Sequence, residues 1–306
     1  MDASSPAPDS STLRKIFFSS DEPRLRAGWR ILAHSAAYNL LLLCVAIPVF
    51  VPALLLGVSP DSLWLSMAIE TLVITPTVFL ARRFLDRRSI VSLGLKINRW
   101  VAIDLFAGMG IAFIMMGLIF AIELNMGWLI FDGFAWQTAP VSTVVFSMLG
   151  MVLLFFLVGW NEELLFRGYR LHNLSDGLSP IWGILISSAW FGIVHLANPN
   201  ATVVSAVGIL LAGLFLAYPV LRTGQLWLSI GLHIGWNLFE GPIFGFPVSG
   251  LNPFMLTRIS VQGPAIFTGG AFGPEAGLVI LPALFVGVGL TFFYTRKRLK
   301  PAAIQQ

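Results

Sequence analysis

Charge is what this chain has least of. Only 11% of its 306 residues are Asp, Glu, Lys or Arg, against roughly 25% in an ordinary soluble domain. With 57% hydrophobic residues, that scarcity excludes both a disordered chain and an ordinary cytosolic enzyme. Cysteine is scarcer still: Cys44 stands alone, which excludes an intrachain disulfide framework, a CxxC redox pair and a multi-cysteine zinc site. Neither an HExxH helix nor a GxSxG elbow is present, so zincin and serine-hydrolase chemistry have no footing. The Ser-, Pro- and Asp-rich first thirty residues lack the apolar core of a cleaved signal and are expected to form a disordered cytoplasmic tail, residues 1–30. No internal repeat is visible, which argues against a transporter built from duplicated halves.

What the chain does have is long apolar runs. They fall at about 31–57, 63–81, 101–124, 141–160, 181–197, 203–221, 226–239 and 277–295, and most are long enough to cross ~30 Å of hydrocarbon. The expected fold class is therefore an all-α polytopic membrane protein of about eight transmembrane helices. The basic residues test that count. Segments 1–30, 82–100, 161–178, 222–225 and 296–306 hold 18 of the 19 Lys and Arg, leaving Arg258 for the other side. Because positive residues collect in cytoplasmic loops, both termini are expected in the cytoplasm, and the membrane is expected to be the plasma (inner) membrane. The same rule explains the +4 net charge without a nucleic acid partner. The expected organisation is a tail over 1–30, a transmembrane domain over 31–295 with a core near 141–240, and a basic cytoplasmic tail over 296–306.

An ionised side chain at a helix centre costs about 2.5–3.5 kcal/mol even on lenient scales, so intramembrane polar residues mark sites by default. Asp104 and Glu123 lie at the ends of the third run and can reach the interface. His34 and Glu70 are expected to make polar contacts between helices, and His172 to lie on the surface. The segment Trp160-Asn161-Glu162-Glu163-Leu164-Leu165-Phe166-Arg167 is different, because two carboxylates close a span with no loop signal around them. Glu163 and Arg167 are four apart with the acid first, the favourable order for a pair on one helix face. Glu162 is turned about 100° away and lacks that counter-ion. One carboxylate is tethered and one is free to take a proton, a division suited to a general base; the bland reading is three residues capping a helix at the interface.

Two further segments carry polar residues in apolar surroundings. The fifth run ends Trp190-Phe191-Gly192-Ile193-Val194-His195, and the seventh contains His233 and Asn237, four apart on one face. If the fourth helix runs on to about residue 174, Glu162 stands ~18 Å above its end, and His195 ~22 Å above a fifth helix starting near Pro180. A hairpin through Ser175-Asp176-Gly177 makes the two helices antiparallel, so the two side chains can meet at one level. His233 and Asn237 then sit ~10 and ~16 Å up their own helix.

At these residues the sequence resembles the CAAX prenyl protease and bacteriocin-processing family of intramembrane proteases, related to type II CAAX prenyl endopeptidases. The EExxxR pattern is met by Glu162, Glu163 and Arg167, FxxxH by Phe191 and His195, and HxxxN by His233 and Asn237; Arg222-Thr223-Gly224-Gln225-Leu226-Trp227 resembles the family's turn. The resemblance implies a polar catalytic cavity between the fourth, fifth and seventh helices and hydrolysis of a peptide bond near a membrane surface, in a membrane-associated peptide or protein substrate. The implied catalytic set is Glu162, Glu163, Arg167, His195, His233 and Asn237: Glu162 with His195 activates water, Arg167 holds Glu163, and His233 with Asn237 stabilises the oxyanion. A metal-dependent variant places zinc on His195, His233 and Glu162. Two other classes stay open at this point: a membrane scaffold or bacteriocin-immunity protein that acts by binding, and a proton-coupled transporter using the carboxylates as a relay.

Overall fold

The computed structural model describes residues 10–19, 22, 24–57 and 63–298. Its helices are α1 (Ser10–Phe17), α2 (Ala27–Leu55), α3 (Leu63–Leu80), α4 (Trp100–Asn125), α5 (Val141–Glu163), α6 (Leu171–Gly177), α7 (Pro180–Val194), α8 (Val203–Thr223), α9 (Trp227–Leu238), α10 (Ala265–Thr268) and α11 (Ile280–Thr295). Six segments are long and apolar enough to cross a membrane: Ala27–Leu55, Leu63–Leu85, Trp100–Asn125, Val141–Gly177, Pro180–Ala197 and Val203–Thr223. The chain is an all-α polytopic integral membrane protein. The other two of the eight apolar runs become the shorter α9, of 12 residues, and α11, of 16. Large apolar side chains such as Leu43, Ile47, Phe106, Phe146 and Phe285 point outward, as they must where lipid rather than water is the solvent.

The fourth run continues past its apolar part to Gly177, beyond the expected end near residue 174. α5 passes through a π-helical stretch, Leu164–Arg170, directly into α6, giving one rod of 37 residues. α7 returns antiparallel after Gly177. The shortest helix of the bundle core, α9, is its centre: every residue from Leu228 to Leu238 is buried. It reaches that position because glycine lets backbones touch, the usual device for close helix packing in membranes. A Cβ on Gly231 would meet the backbone of Leu105 in α4 at 2.3 Å, and one on Gly159 in α5 would meet Ile234 at 2.7 Å. α9 is thus wedged between α4 and α5 with no room for a methyl group.

A small sheet was not foreseen. β1 (Leu129–Phe134) pairs antiparallel with β2 (Thr257–Val261), with a register shift between Phe131 and Gly133. It pins the Gly- and Pro-rich stretch after α9 to the α4–α5 connection.

Polar clusters fix the opposite end. Asp86, fully buried, accepts hydrogen bonds from Arg30 at 3.0 Å, Arg82 at 2.8 Å and Asn173 at 3.1 Å. Arg24 and Arg88 reach Asp176 at 3.4 and 3.5 Å. These ties correct the expected disordered tail. Part of 1–30 lies outside the described residues, but its described part holds α1 and the start of α2, anchored because Arg24 and Arg30 are the partners of those acids. Most of the basic tail 296–306 likewise lies outside the described residues. Asp104 does not simply reach the interface; it accepts from Tyr294 at 2.7 Å and from Arg298 at 2.9 Å, joining α4 to the end of α11. Glu123 is fully buried and has no hydrogen-bond partner among the described residues.

Candidate active site

Glu162 and Glu163 stand at the last α-helical turn of α5, where the rod changes to π-helix. Such turns recur at functional sites because they redirect side chains. Beyond them the rod is held by side chains rather than by exposure. Ser187 donates to the Phe166 carbonyl at 2.8 Å, and His172 lies with Nδ1 3.0 Å from the Arg167 carbonyl. His172 is therefore buried, a correction to its expected surface position: the rod packs on α7 at that level, and the ring caps a carbonyl of the π-helical stretch.

Glu163 is completely buried, and both of its oxygens are committed. Arg167 Nη1 donates to Oε1 at 2.8 Å, as the four-residue spacing implied, with the guanidinium carbon 4.1 Å from the centre of the Phe191 ring. Ser229 Oγ donates to Oε2 at 2.6 Å, and His233 Nδ1 lies 2.8 Å from Oε1. An ionised carboxylate can only accept, so His233 carries its proton on Nδ1. His195, where α7 tightens into a final 3₁₀ turn, places Nδ1 2.8 Å from the Phe191 carbonyl. That oxygen also only accepts, which fixes the same tautomer.

Both histidines therefore turn Nε2 toward Glu162, whose Oε2 lies 3.6 Å from His233 and 3.9 Å from His195. Oε2 of Glu162 receives no hydrogen bond among the described residues. Three acceptor positions face one another there, and what they lack is a donor. A water with two hydrogens meets that need. So does one additional proton, because two carboxylates stand against one guanidinium and a proton on an Nε2 brings the cluster to neutrality.

These groups open on a cavity of about 370 Å³ lined by Glu162, His195, His233 and Asn237 together with apolar side chains such as Ile74, Leu165 and Ile209. All six sequence-predicted residues converge here: Glu162, His195, His233 and Asn237 on the wall, Glu163 and Arg167 behind it. Among the described residues no group of three or more His, Cys, Asp or Glu is gathered as a metal site; the ligands named for zinc, Glu162, His195 and His233, are the same three groups that face one another at 3.6 and 3.9 Å.

Three features were not read from the sequence. Ser229 lies one turn before His233 on the same face of α9, a spacing that was visible. Glu275 lines the cavity and is held by Trp236 Nε1 at 3.0 Å and Ser249 Oγ at 2.5 Å. Burial pushes its carboxyl above the usual carboxylate range, against those two donors. Its signal was that it is the sole acid in 241–276. Glu70 also lines the cavity, which corrects its expected contact between helices. Its neighbour Thr71 accepts from Asn161 at 2.8 Å and Thr75 accepts from Trp160 at 2.9 Å, so the α3–α5 contact uses the threonine face and turns Glu70 inward. His34 does bridge helices, but through ring contact with Tyr169, the centroids 4.4 Å apart and the rings tilted by 43°.

With this geometry in place, the comparisons bear on the same region. Residues 144–239 match the family model described as type II CAAX prenyl endopeptidase Rce1-like. The Bacillus subtilis protein YyaK, of uncharacterized function, is 28% identical over 246 residues, 77% of this chain and 76% of that protein. The Bacillus subtilis protein named "Putative membrane peptidase YdiL" is 30% identical over 103 residues, 34% of this chain and 37% of that protein. No solved structure matches significantly. The matched segment spans Glu162, Glu163, Arg167, His195, His233 and Asn237, so the resemblance to this family falls on the residues that converge.

Proposed function

From the resemblance to type II CAAX prenyl endopeptidases over residues 144–239, we propose that the protein is a membrane-embedded endopeptidase that hydrolyses a peptide bond near the membrane surface. The observation that carries this reading is the convergence of Glu162 Oε2 with two Nε2 atoms on a cavity wall.

Water bound between these acceptors donates one hydrogen to Glu162 and one to His195 Nε2, leaving a lone pair directed into the cavity. Glu162 takes the proton as the water oxygen attacks the scissile carbonyl. His233, held by Glu163, carries the cluster's extra proton on Nε2 and donates it in a hydrogen bond to the developing oxyanion; the Asn237 amide is the second donor. Collapse of the tetrahedral intermediate breaks the C–N bond, and Glu162 returns its proton to the leaving amine. The products are one carboxyl terminus, which keeps the second hydrogen of the water until it ionises to solvent, and one amino terminus, and the enzyme ends as it began.

Glu163 and Arg167 touch no substrate. They position His233, and their mutual compensation keeps the charge tolerable inside the bundle. The basic-residue distribution supports an orientation with both termini in the cytoplasm of a plasma-membrane protein; the substrate is a membrane-associated peptide or protein.

The test compares cells carrying the wild type and Glu162→Gln by mass spectrometry of new terminal peptides in the membrane proteome. Peptides ending at specific sites should appear only with the wild type. Identical sets from both, with equal expression, would overturn the reading in favour of a scaffold.

A further inference from the structure

Arginine is rarely left alone inside a protein, and four of the buried arginines here obey that rule. Arg24 reaches Asp176, Arg30 and Arg82 reach Asp86, and Arg167 reaches Glu163. Arg170 does not. It is 6% exposed and lines the cavity that holds Glu162, yet none of its nitrogens has an acceptor among the described residues; Nε and Nη1 are buried without one. Its charge faces aromatic rings instead. The guanidinium carbon lies 3.8 Å from the centre of the Trp190 ring and 4.5 Å from that of Phe166.

Stacking on aromatic faces compensates part of the charge but satisfies no N–H. A guanidinium held by its faces keeps its donors edge-on, and Nη2, the one nitrogen not buried, is the donor that a carboxylate entering the cavity reaches in a charge-assisted hydrogen bond. Leaving such a group unpaired costs more than an ordinary unmade hydrogen bond, and a cavity is the place where a ligand removes that cost. Arg170 and Glu162 are eight residues apart on one rod, at most about 12 Å along its axis. That is the length of three or four extended residues, so one short peptide reaches both.

We propose that Arg170 is a substrate-recognition residue: it binds a carboxylate of the peptide whose bond is cut at Glu162. The assignment rests on the peptidase reading and adds a specificity element to it. The carboxylate has two sources, a peptide C-terminus or an acidic side chain, and the test separates them.

The probes are N-acetyl-Val-Ile-Leu with a free C-terminal carboxylate, the same peptide as its C-terminal amide, and N-acetyl-Val-Glu-Leu amide, whose only carboxylate is on a side chain. Binding is measured by titration calorimetry to the full-length Glu162→Gln protein in nanodiscs, so that nothing is cleaved. At least one acid should bind about tenfold or more tighter than the plain amide, and which acid does so identifies the source. Adding Arg170→Gln should bring that ratio to about one. Arg170→Met, which keeps an unbranched apolar chain between the two rings, provides the same test should Arg170→Gln not purify as a single species. Equal binding of acids and amide with Arg170 intact, no binding by any probe, or an undiminished ratio in the folded variants would overturn the assignment. Cleavage by the protein with Glu162 intact is read separately. Cleavage without acid discrimination defeats the Arg170 role alone, whereas Arg170-dependent discrimination with no Glu162-dependent cleavage upholds it and defeats the peptidase reading.

Discussion

Replacing Glu163 by glutamine should damage the protein twice, and the two injuries can be measured apart. Glu163 accepts from Arg167, His233 and Ser229 at 2.8, 2.8 and 2.6 Å with no exposed surface. The amide keeps the shape but removes the charge and converts one acceptor into a donor. Arg167 is then a cation whose other contacts are the Phe191 ring and the Gly213 carbonyl at 3.4 Å. Breaking a buried pair by removing one partner costs about 3–5 kcal/mol, a large share of the roughly 5–15 kcal/mol that holds a folded protein together. In thermal unfolding that corresponds to a fall on the order of 10 °C, compared at one scan rate because membrane proteins unfold irreversibly. Cleavage should fall separately, by about 10²–10⁴-fold, because His233 loses the carboxylate that fixes Nδ1–H. Glu162→Gln should abolish cleavage while changing the unfolding temperature by no more than a few degrees. The double variant Glu163→Gln with Arg167→Met removes both charges; it should recover most of the stability and none of the activity. A Glu163→Gln protein as stable as the wild type, or a double variant that regains cleavage, would refute the reasoning.

Further outcomes follow from the same geometry. Asn237→Ala should lower kcat by about 10²–10³-fold with little change in KM, because an oxyanion donor acts mainly in the transition state; a change confined to KM would remove Asn237 from that role. Purified active protein should hold no stoichiometric zinc by elemental analysis, and one tightly held zinc per chain, lost with activity in both His195→Ala and His233→Ala, would replace the water-activation scheme with a metal one. A reporter active only outside the cytoplasm should be active when fused after Asn198 and silent after Arg87 or Arg298, and the reverse at either end would break the orientation drawn from the basic residues.

The site was legible in the sequence because a bilayer makes polar residues conspicuous. Glu162, Glu163, His195, His233 and Asn237 stand out against apolar neighbours, and helical spacing alone paired Glu163 with Arg167. The partner of His233 was not legible. That contact depends on how closely α5 and α9 approach, which Gly159 sets through space and no periodicity announces. The π-helical stretch Leu164–Arg170 has no residue signature either, since Leu, Phe, Gly, Tyr and Arg serve α-helices equally well. The β1–β2 pair escaped because its strands, of six and five residues, lie between spans and are too short to outweigh the apolar pattern around them. Glu70 was misplaced for a related reason: α3 has polar residues at 70, 71 and 75, and only the contact of Thr71 and Thr75 with α5 decides which face looks inward.

Adjacency of the two acids is itself a physical solution. A general base inside a membrane must be desolvated enough to be reactive, yet a lone carboxylate there is too costly to keep ionised. Two consecutive residues on one helix diverge by about 100°, so one can be used entirely for compensation and the other kept bare. Glu163 looks away from the cavity and assembles Arg167, Ser229 and His233 around itself. His233 then faces the cavity with a fixed tautomer and carries that order across to Glu162, which has no donor of its own. Moving the first acid by one position toward the N-terminus would turn it a further 100° from Glu163 and separate it from both Nε2 atoms. The variant that swaps Asn161 and Glu162 keeps composition and charge, but it also removes the buried Asn161 amide that donates to Thr71 at 2.8 Å and puts a carboxylate there, so its folding is checked first by its unfolding temperature. The folded swapped protein should not cleave. Cleavage by the swapped protein at more than about a tenth of the wild-type rate would show that the direction of the free carboxylate, on which the whole site depends, is not what makes it a base.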